Sequence, residues 1–261
     1  MIADLRLVWV SWAFTMRGFM SSEFFILTAL IQPVIFATIA FFLFRIGGDA
    51  AGAQTLLYAA LGTGMMGVWS TTLFGAGGAI AWQRWEGTLE LLVAMPRRYD
   101  LVLAGQTLGS ATFGFYSVVA TLAWGALLFG MPISASQPWL LLPALLVAIL
   151  ALGAMGMLIA TTFVLYRHAN ALSNLLEYPI WIVTGLVVPL AVLPGWLGPL
   201  SWVLAPTWGM EAIRGSAIGT DAPWLAMAMC LLLSVAYWLL ARVALVYVLV
   251  KARRDATLNL A

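Results

Sequence analysis

Six long apolar runs, separated by short polar breaks, organise this chain. The first, "FFILTALIQPVIFATIAFFLF" at residues 24–44, carries no charge, and its 21 positions make a helix of about 31 Å, enough to cross the hydrocarbon core of a bilayer. Comparable runs at 55–81, 101–130, 138–166, 172–193 and 222–250 predict five further spans, so residues 1–261 read as one all-α polytopic transmembrane domain. Ahead of the first run, within residues 1–22, Leu5, Trp9, Trp12, Met16 and Phe19 recur at helical steps, while Asp4, Ser11, Thr15 and Ser22 fall on another face. That pattern predicts an amphipathic helix at the membrane surface, an anchor that can also serve as a lever on a cytoplasmic partner.

The stretch 195–218, "GWLGPLSWVLAPTWGMEAIRGSAI", is apolar enough to enter the membrane but is broken by Pro199 and Pro206. It is expected to be a re-entrant pair of short helices dipping in from the outer face. A complete crossing there would carry the basic C-terminus to the other side, and irregular backbone at membrane depth needs protein or a wet cavity around it.

Composition agrees with this architecture. The chain is 64% hydrophobic and 8% charged, which a water-soluble globule could not accommodate, and a formal net charge of +2 gives no reason to expect nucleic acid. Arg6, Arg17, Arg84, Arg97, Arg98, Arg167, Lys251, Arg253 and Arg254 lie in one set of loops and termini, against Arg45 and Arg214 in the other. The positive-inside rule therefore places both termini and the 83–99 loop in the cytoplasm of a multi-pass plasma (inner) membrane protein. A cleavable signal peptide is not expected, because Asp4, Arg6, Arg17 and Glu23 interrupt the first 23 residues.

Familiar chemical motifs are weak or missing. "GTGMMG" at Gly62–Gly67 fits the spacing of a dinucleotide loop, but it sits inside an apolar run without a preceding strand, so small residues admitting a neighbouring helix explain it better. The only lysine, Lys251, follows the last run rather than a glycine-rich turn, which excludes a phosphate-binding loop. His168 and Cys230 are single, and no catalytic set or metal ligand set is expected. Among the charges near the membrane, Arg242 is expected to snorkel toward the headgroups. Glu211 and Arg214, three residues apart, are expected to pair with each other or with another chain. Glu177 opens the fifth run, either as an interfacial group or as a polar contact for a cationic substrate. Trp139, Trp196, Trp202, Trp208 and Trp224 fall near the outer face, where a membrane-interface belt is the default and stacking on sugar rings or an aromatic drug the alternative.

The loop after the second run, "QRWEGTLELLVAMPRRY" at residues 83–99, is unusually charged for this chain. In helical projection Trp82, Trp85, Leu89, Leu92 and Val93 form an apolar stripe flanked by Glu86 and Glu90. Thr88 suits an N-cap, and Pro96 disfavours helix at the residue before it. A short amphipathic helix over 83–98 is the expectation, with Leu91 and the acidic flank open to another protein.

These residues resemble a known family. "WEGTLELLVAMP" is similar to the E-G-T-L-E-x-L-x-x-x-P element of type 2 ATP-binding-cassette exporter permeases, and "VVPLAVLPGWLGPLSWVLAPTWGMEAIRG" resembles the proline-punctuated segment before their last span. "LIQPVIF", with Gln32 and Pro33, fits as well. The resemblance implies a permease of six spans with no ATPase site or bound cofactor of its own. ATP and Mg would be held by two separate nucleotide-binding subunits, and a second permease copy or paralogue would complete the complex. It assigns Glu86, Gly87, Thr88, Leu89, Glu90, Leu91 and Pro96 to a coupling helix on the ATPase. Spans one, two and five, with the re-entrant segment, would line the pathway, where Gln32, Pro33, Glu177, Pro194, Trp196, Pro206, Trp208, Glu211 and Arg214 are the candidates. The expected cargo is a hydrophobic or amphipathic, drug-like molecule. A lipid-linked glycan or lipo-oligosaccharide is the alternative, and an ion-coupled secondary transporter is the rival from another class.

Overall fold

The computed structural model describes residues 2–45, 53–88, 91, 99–130, 135–163, 169–187, 190–219 and 223–254. Among these the structure is all-helical, without strands. The helices are α1 (Ile2–Ser21), α2 (Glu23–Arg45), α3 (Ala53–Trp85), α4 (Tyr99–Phe129), α5 (Pro138–Phe163), α6 (Ala169–Val183), α7 (Gly198–Val203), α8 (Ala205–Ile218) and α9 (Pro223–Arg254), with single 3-10 turns at Leu190–Val192 and Gly195–Leu197.

Helix α3 is the axis of the bundle. It packs against α2, α4, α5, α6 and α8, and every residue from Ala59 to Ser70 is buried. A helix enclosed on all sides needs small residues wherever a neighbour comes close. The "GTGMMG" glycines serve that purpose: a Cβ on Gly64 would stand 2.8 Å from the Cα of Val118, and α4 answers with Gly114, whose added Cβ would stand 2.8 Å from the Cα of Val68. Around this axis the outer helices expose apolar side chains. On α9, Leu232, Leu239, Val243 and Val246 face outward, whereas Ala226, Cys230, Tyr237, Ala241 and Leu245 form the stripe turned to the protein. Exposed apolar area on this scale calls for lipid.

Among the described residues, four helices are long and apolar enough to cross a membrane: α2 over Phe25–Phe42, α4, α5, and α9 over Pro223–Val248. The other two expected spans differ in character. α3 is 33 residues long but dilutes its apolar content with glycine, serine and threonine, as suits a helix surrounded by protein. The run at 172–193 is helical only to Val183. Gly185 takes a φ of +76°, Leu186 N–H and Val187 N–H turn back to the carbonyl of Trp181, and the chain leaves the helix there. An uninterrupted apolar run concealed that break, which needs only a glycine able to adopt the left-handed region.

Helix α1 lays its small polar face on the bundle. Ser11 is buried, and α1 packs on α4 where Gly105 and Gly109 stand; a Cβ on Gly105 would lie 2.6 Å from the Cβ of Ser11, and one on Gly109 3.0 Å from the Cβ of Thr15. Trp12 Nε1 donates to Thr112 Oγ1 at 3.1 Å. Leu5 and Trp9 are exposed, and of the expected apolar face only Phe19 is fully buried. Small polar residues make the helix contact because they permit close approach, and the large apolar ones face out. Arg242 is likewise more constrained than a snorkelling side chain, since its Nε lies 3.2 Å from Asp100 Oδ2 and its guanidinium lies over the ring of Trp238.

Candidate functional site

Two cavities lie toward opposite ends of α3. The larger, about 520 Å³, is bounded by α2, α3, α4 and α6, at the end where α2 and α6 begin and α3 approaches its C-terminus. Gln32 and Pro33 line it from α2, Ser70 and Phe74 from α3, Tyr116 from α4, and Glu177 from α6. Pro33 has no N–H to give, so the carbonyl of Ala29, also on the wall, lacks its usual helical donor. Glu177 is 8% exposed, and Ser70 Oγ donates to its Oε1. Among the described residues the lining contains no lysine, arginine, histidine or aspartate.

The smaller cavity, about 240 Å³, lies where α3 begins and α6 ends, and is lined by Tyr58, Thr184, Gly185, Thr207, Glu211 and Arg214 among others. Arg214, 6% exposed, donates from Nη1 to the carbonyl of Gly185 at 2.8 Å and from Nη2 to the carbonyls of Leu186 at 3.2 Å and Tyr58 at 3.3 Å. Its guanidinium carbon stands 3.4 Å from the ring centroid of Tyr58. The expected pairing with Glu211 is replaced by this arrangement. The break after Val183 frees carbonyls inside the protein, and a forked cation satisfies several at once, while Glu211 remains exposed. Gly62 makes the space: a Cβ there would stand 2.5 Å from Nη2 of Arg214 and collide with the carbonyl of Leu186.

The remaining pathway candidates line neither of these two cavities. Pro194 precedes a 3-10 turn and is exposed, and Trp196 is 75% exposed. Pro206 is buried in the first turn of α8, where its missing N–H costs nothing. Trp208 Nε1 donates to the carbonyl of Trp202 at 2.7 Å, bracing α8 against α7.

The family model for ABC-2 type transporters matches residues 6–218. The chain belongs to that family. No match to an individual curated protein accompanies it. As an ABC-2 type transporter the chain is the membrane subunit of an ABC transporter, a component that generally lacks ATPase activity and normally works with ATPase subunits.

In this permease α3 continues to Trp85, so Trp82 and Trp85 end a long helix rather than open the amphipathic one expected over 83–98. Gly87 stops α3 with a φ of +69°, its N–H bonded to the carbonyl of Arg84. Glu86 is exposed, Leu91 is 70% exposed, and Thr88 Oγ1 donates to the carbonyl of Gln83 at 3.2 Å, a contact with the preceding helix end rather than with a following one. Leu89, Glu90 and Pro96 lie outside the described residues, as do Leu92 and Val93.

The structure thus brings Gln32, Pro33 and Glu177 to one cavity of the permease and Glu211 and Arg214 to the other. Ser70 and Tyr58 were not singled out from sequence. Ser70 sits among many small polar residues of α3 and gives no separate signal. Tyr58 had one, an aromatic at the end of a span expected to face the broken 195–218 segment.

Proposed function

We propose that this ABC-2 permease is the membrane half of an ATP-driven exporter that moves a hydrophobic or amphipathic, drug-like molecule out of the cytoplasm or inner leaflet. In this reading the chain crosses the plasma membrane six times with both termini cytoplasmic and pairs with a second permease. It engages two ATPase subunits, which hold ATP and Mg, through the Glu86–Pro96 segment. The observation that carries it is the cavity of about 520 Å³ between α2, α3, α4 and α6, within the roughly 300–1,000 Å³ range of small-molecule sites. Its walls come from the first, second and third apolar runs with Asn174 and Glu177 from the fifth, so the third run joins the expected set, and the cavity lies toward the end of α3 that leads into the loop at 86–98. A lipid-linked glycan is the weaker reading, because the cavity lining contains no tryptophan for sugar stacking.

The test is co-expression with candidate ATPases, isolation of any complex, and ATP-dependent uptake into inverted vesicles. We expect an ATPase to co-purify and Leu91→Asp to abolish its retention, since a charge in an apolar docking contact is worth several kcal/mol, about a hundredfold or more in affinity. A complex that retains the ATPase unchanged in Leu91→Asp removes the docking assignment, and vesicles without ATP-driven uptake remove the exporter reading.

A further inference from the structure

We infer that the α2–α3–α4–α6 cavity is a site for an amphipathic organic cation with aromatic character, and that Glu177 supplies its countercharge. This rests on the exporter reading for its physiological role, but the binding chemistry stands on the site itself. Glu177 is the ionisable carboxylate of the lining and is almost wholly buried, yet no basic side chain among the described residues shares the wall. A buried carboxylate accepts several hydrogen bonds when fully satisfied. Here the donor is the Ser70 hydroxyl, reaching Oε1. Charge held in an apolar interior with so little compensation marks a functional group whose partner comes from elsewhere. The open space lies directly against it.

The rest of the lining fits the same ligand. Phe25, Phe74, Phe113 and Tyr116 bound the cavity, and aromatic faces attract cations as well as apolar rings. Gln32 and Asn174 add neutral amides, and Ser117 Oγ is buried without a hydrogen-bond partner on the same wall, an unmet polar group that a ligand or a water arriving with it would satisfy. An anion would meet Glu177 with no compensating cation. A neutral hydrocarbon would leave the carboxylate and the Ser117 hydroxyl dry and unpaired. A singly charged aromatic cation answers all three features.

Tetraphenylphosphonium and tetraphenylborate, nearly identical in shape and opposite in charge, are the probes. Binding to the purified full chain in lipid nanodiscs is measured by equilibrium dialysis, with empty nanodiscs as the partition reference. We expect tetraphenylphosphonium to bind about tenfold more weakly to Glu177→Gln than to the unsubstituted chain, the scale of one charge-assisted contact. Glu177→Asp should keep the preference for the cation, and Phe74→Leu should weaken cation binding by about threefold while keeping the wall apolar. Tetraphenylborate should bind no more weakly to Glu177→Gln than to the unsubstituted chain, since the repelling charge is gone, and unchanged melting profiles show that the variants are folded. Equal affinity of Glu177→Gln and the unsubstituted chain for tetraphenylphosphonium overturns the assignment, as does tetraphenylborate binding as tightly as the cation. ATP-driven uptake by the ATPase complex is read separately. Glu177-dependent cation binding without uptake supports the site while the exporter reading fails, and ATP-driven uptake of a neutral dye without Glu177-dependent binding overturns the site while that reading survives.

Discussion

Arg214 and Glu177 are both buried charges packed against α3, Arg214 near its start and Glu177 at its middle, and their surroundings are opposite. Arg214 is bound to main chain: three carbonyls, two of them freed where α6 ends, converge on its terminal nitrogens, with the Tyr58 ring beneath. Glu177 meets the hydroxyl of Ser70 beside a cavity more than twice the size of the one at Arg214. A buried charge whose terminal nitrogens are held by backbone carbonyls is part of the fold even with its Nε left without a partner, because removing it strands polar groups. One that holds a single side-chain bond next to open space can be altered with little damage and is available to a ligand. The contrast separates a structural ion from a binding group without reference to position in the sequence.

The strongest test of that contrast is Arg214→Met, which takes their donor from the carbonyls of Gly185 and Leu186, released where α6 ends. At about 1–3 kcal/mol for each stranded group, we expect loss of a monodisperse folded species on size exclusion, and Arg214→Lys should recover only part of it because a single ammonium cannot reproduce the fork. Gly62→Ala should come next, destabilising by about 1–3 kcal/mol in thermal denaturation, since its Cβ would occupy space held by the guanidinium and the Leu186 carbonyl. At the middle of α3, Ser70→Ala removes one hydroxyl and should cost about 1 kcal/mol. Glu177→Gln, whose amide oxygen still accepts from Ser70, should shift stability by about 0.5 kcal/mol or less. If Glu177→Gln unfolds the protein as Arg214→Met does, the two charges are alike and the distinction fails.

Much of the helical layout was legible because uncharged runs of twenty or more residues allow few other structures, and the starts of α2, α5 and α9 lie within about two residues of the apolar boundaries. The errors came where packing overruled periodicity. In α1 periodicity separated an apolar face from a polar one without saying which of them meets protein, and Gly105 and Gly109 on α4 accept the smaller Ser11 and Thr15. Spacing alone suggested that Glu211 and Arg214 would pair as helical neighbours, whereas the guanidinium was drawn to carbonyls released nearly thirty residues upstream by a break that hydropathy does not register. Gln32 and Glu177 could each be suspected singly from sequence, but their meeting at one cavity depends on how α2 and α6 sit on α3.

That α3 runs without a proline from Ala53 to Trp85 has a mechanical meaning. Tyr58, whose carbonyl Arg214 holds, and Ser70, which holds Glu177, stand twelve residues apart on this helix, about 18 Å. The segment between them is the most tightly enclosed part of the molecule. One stiff segment thus carries a wall of each cavity, so that whatever shifts α3 as a body would change both at once.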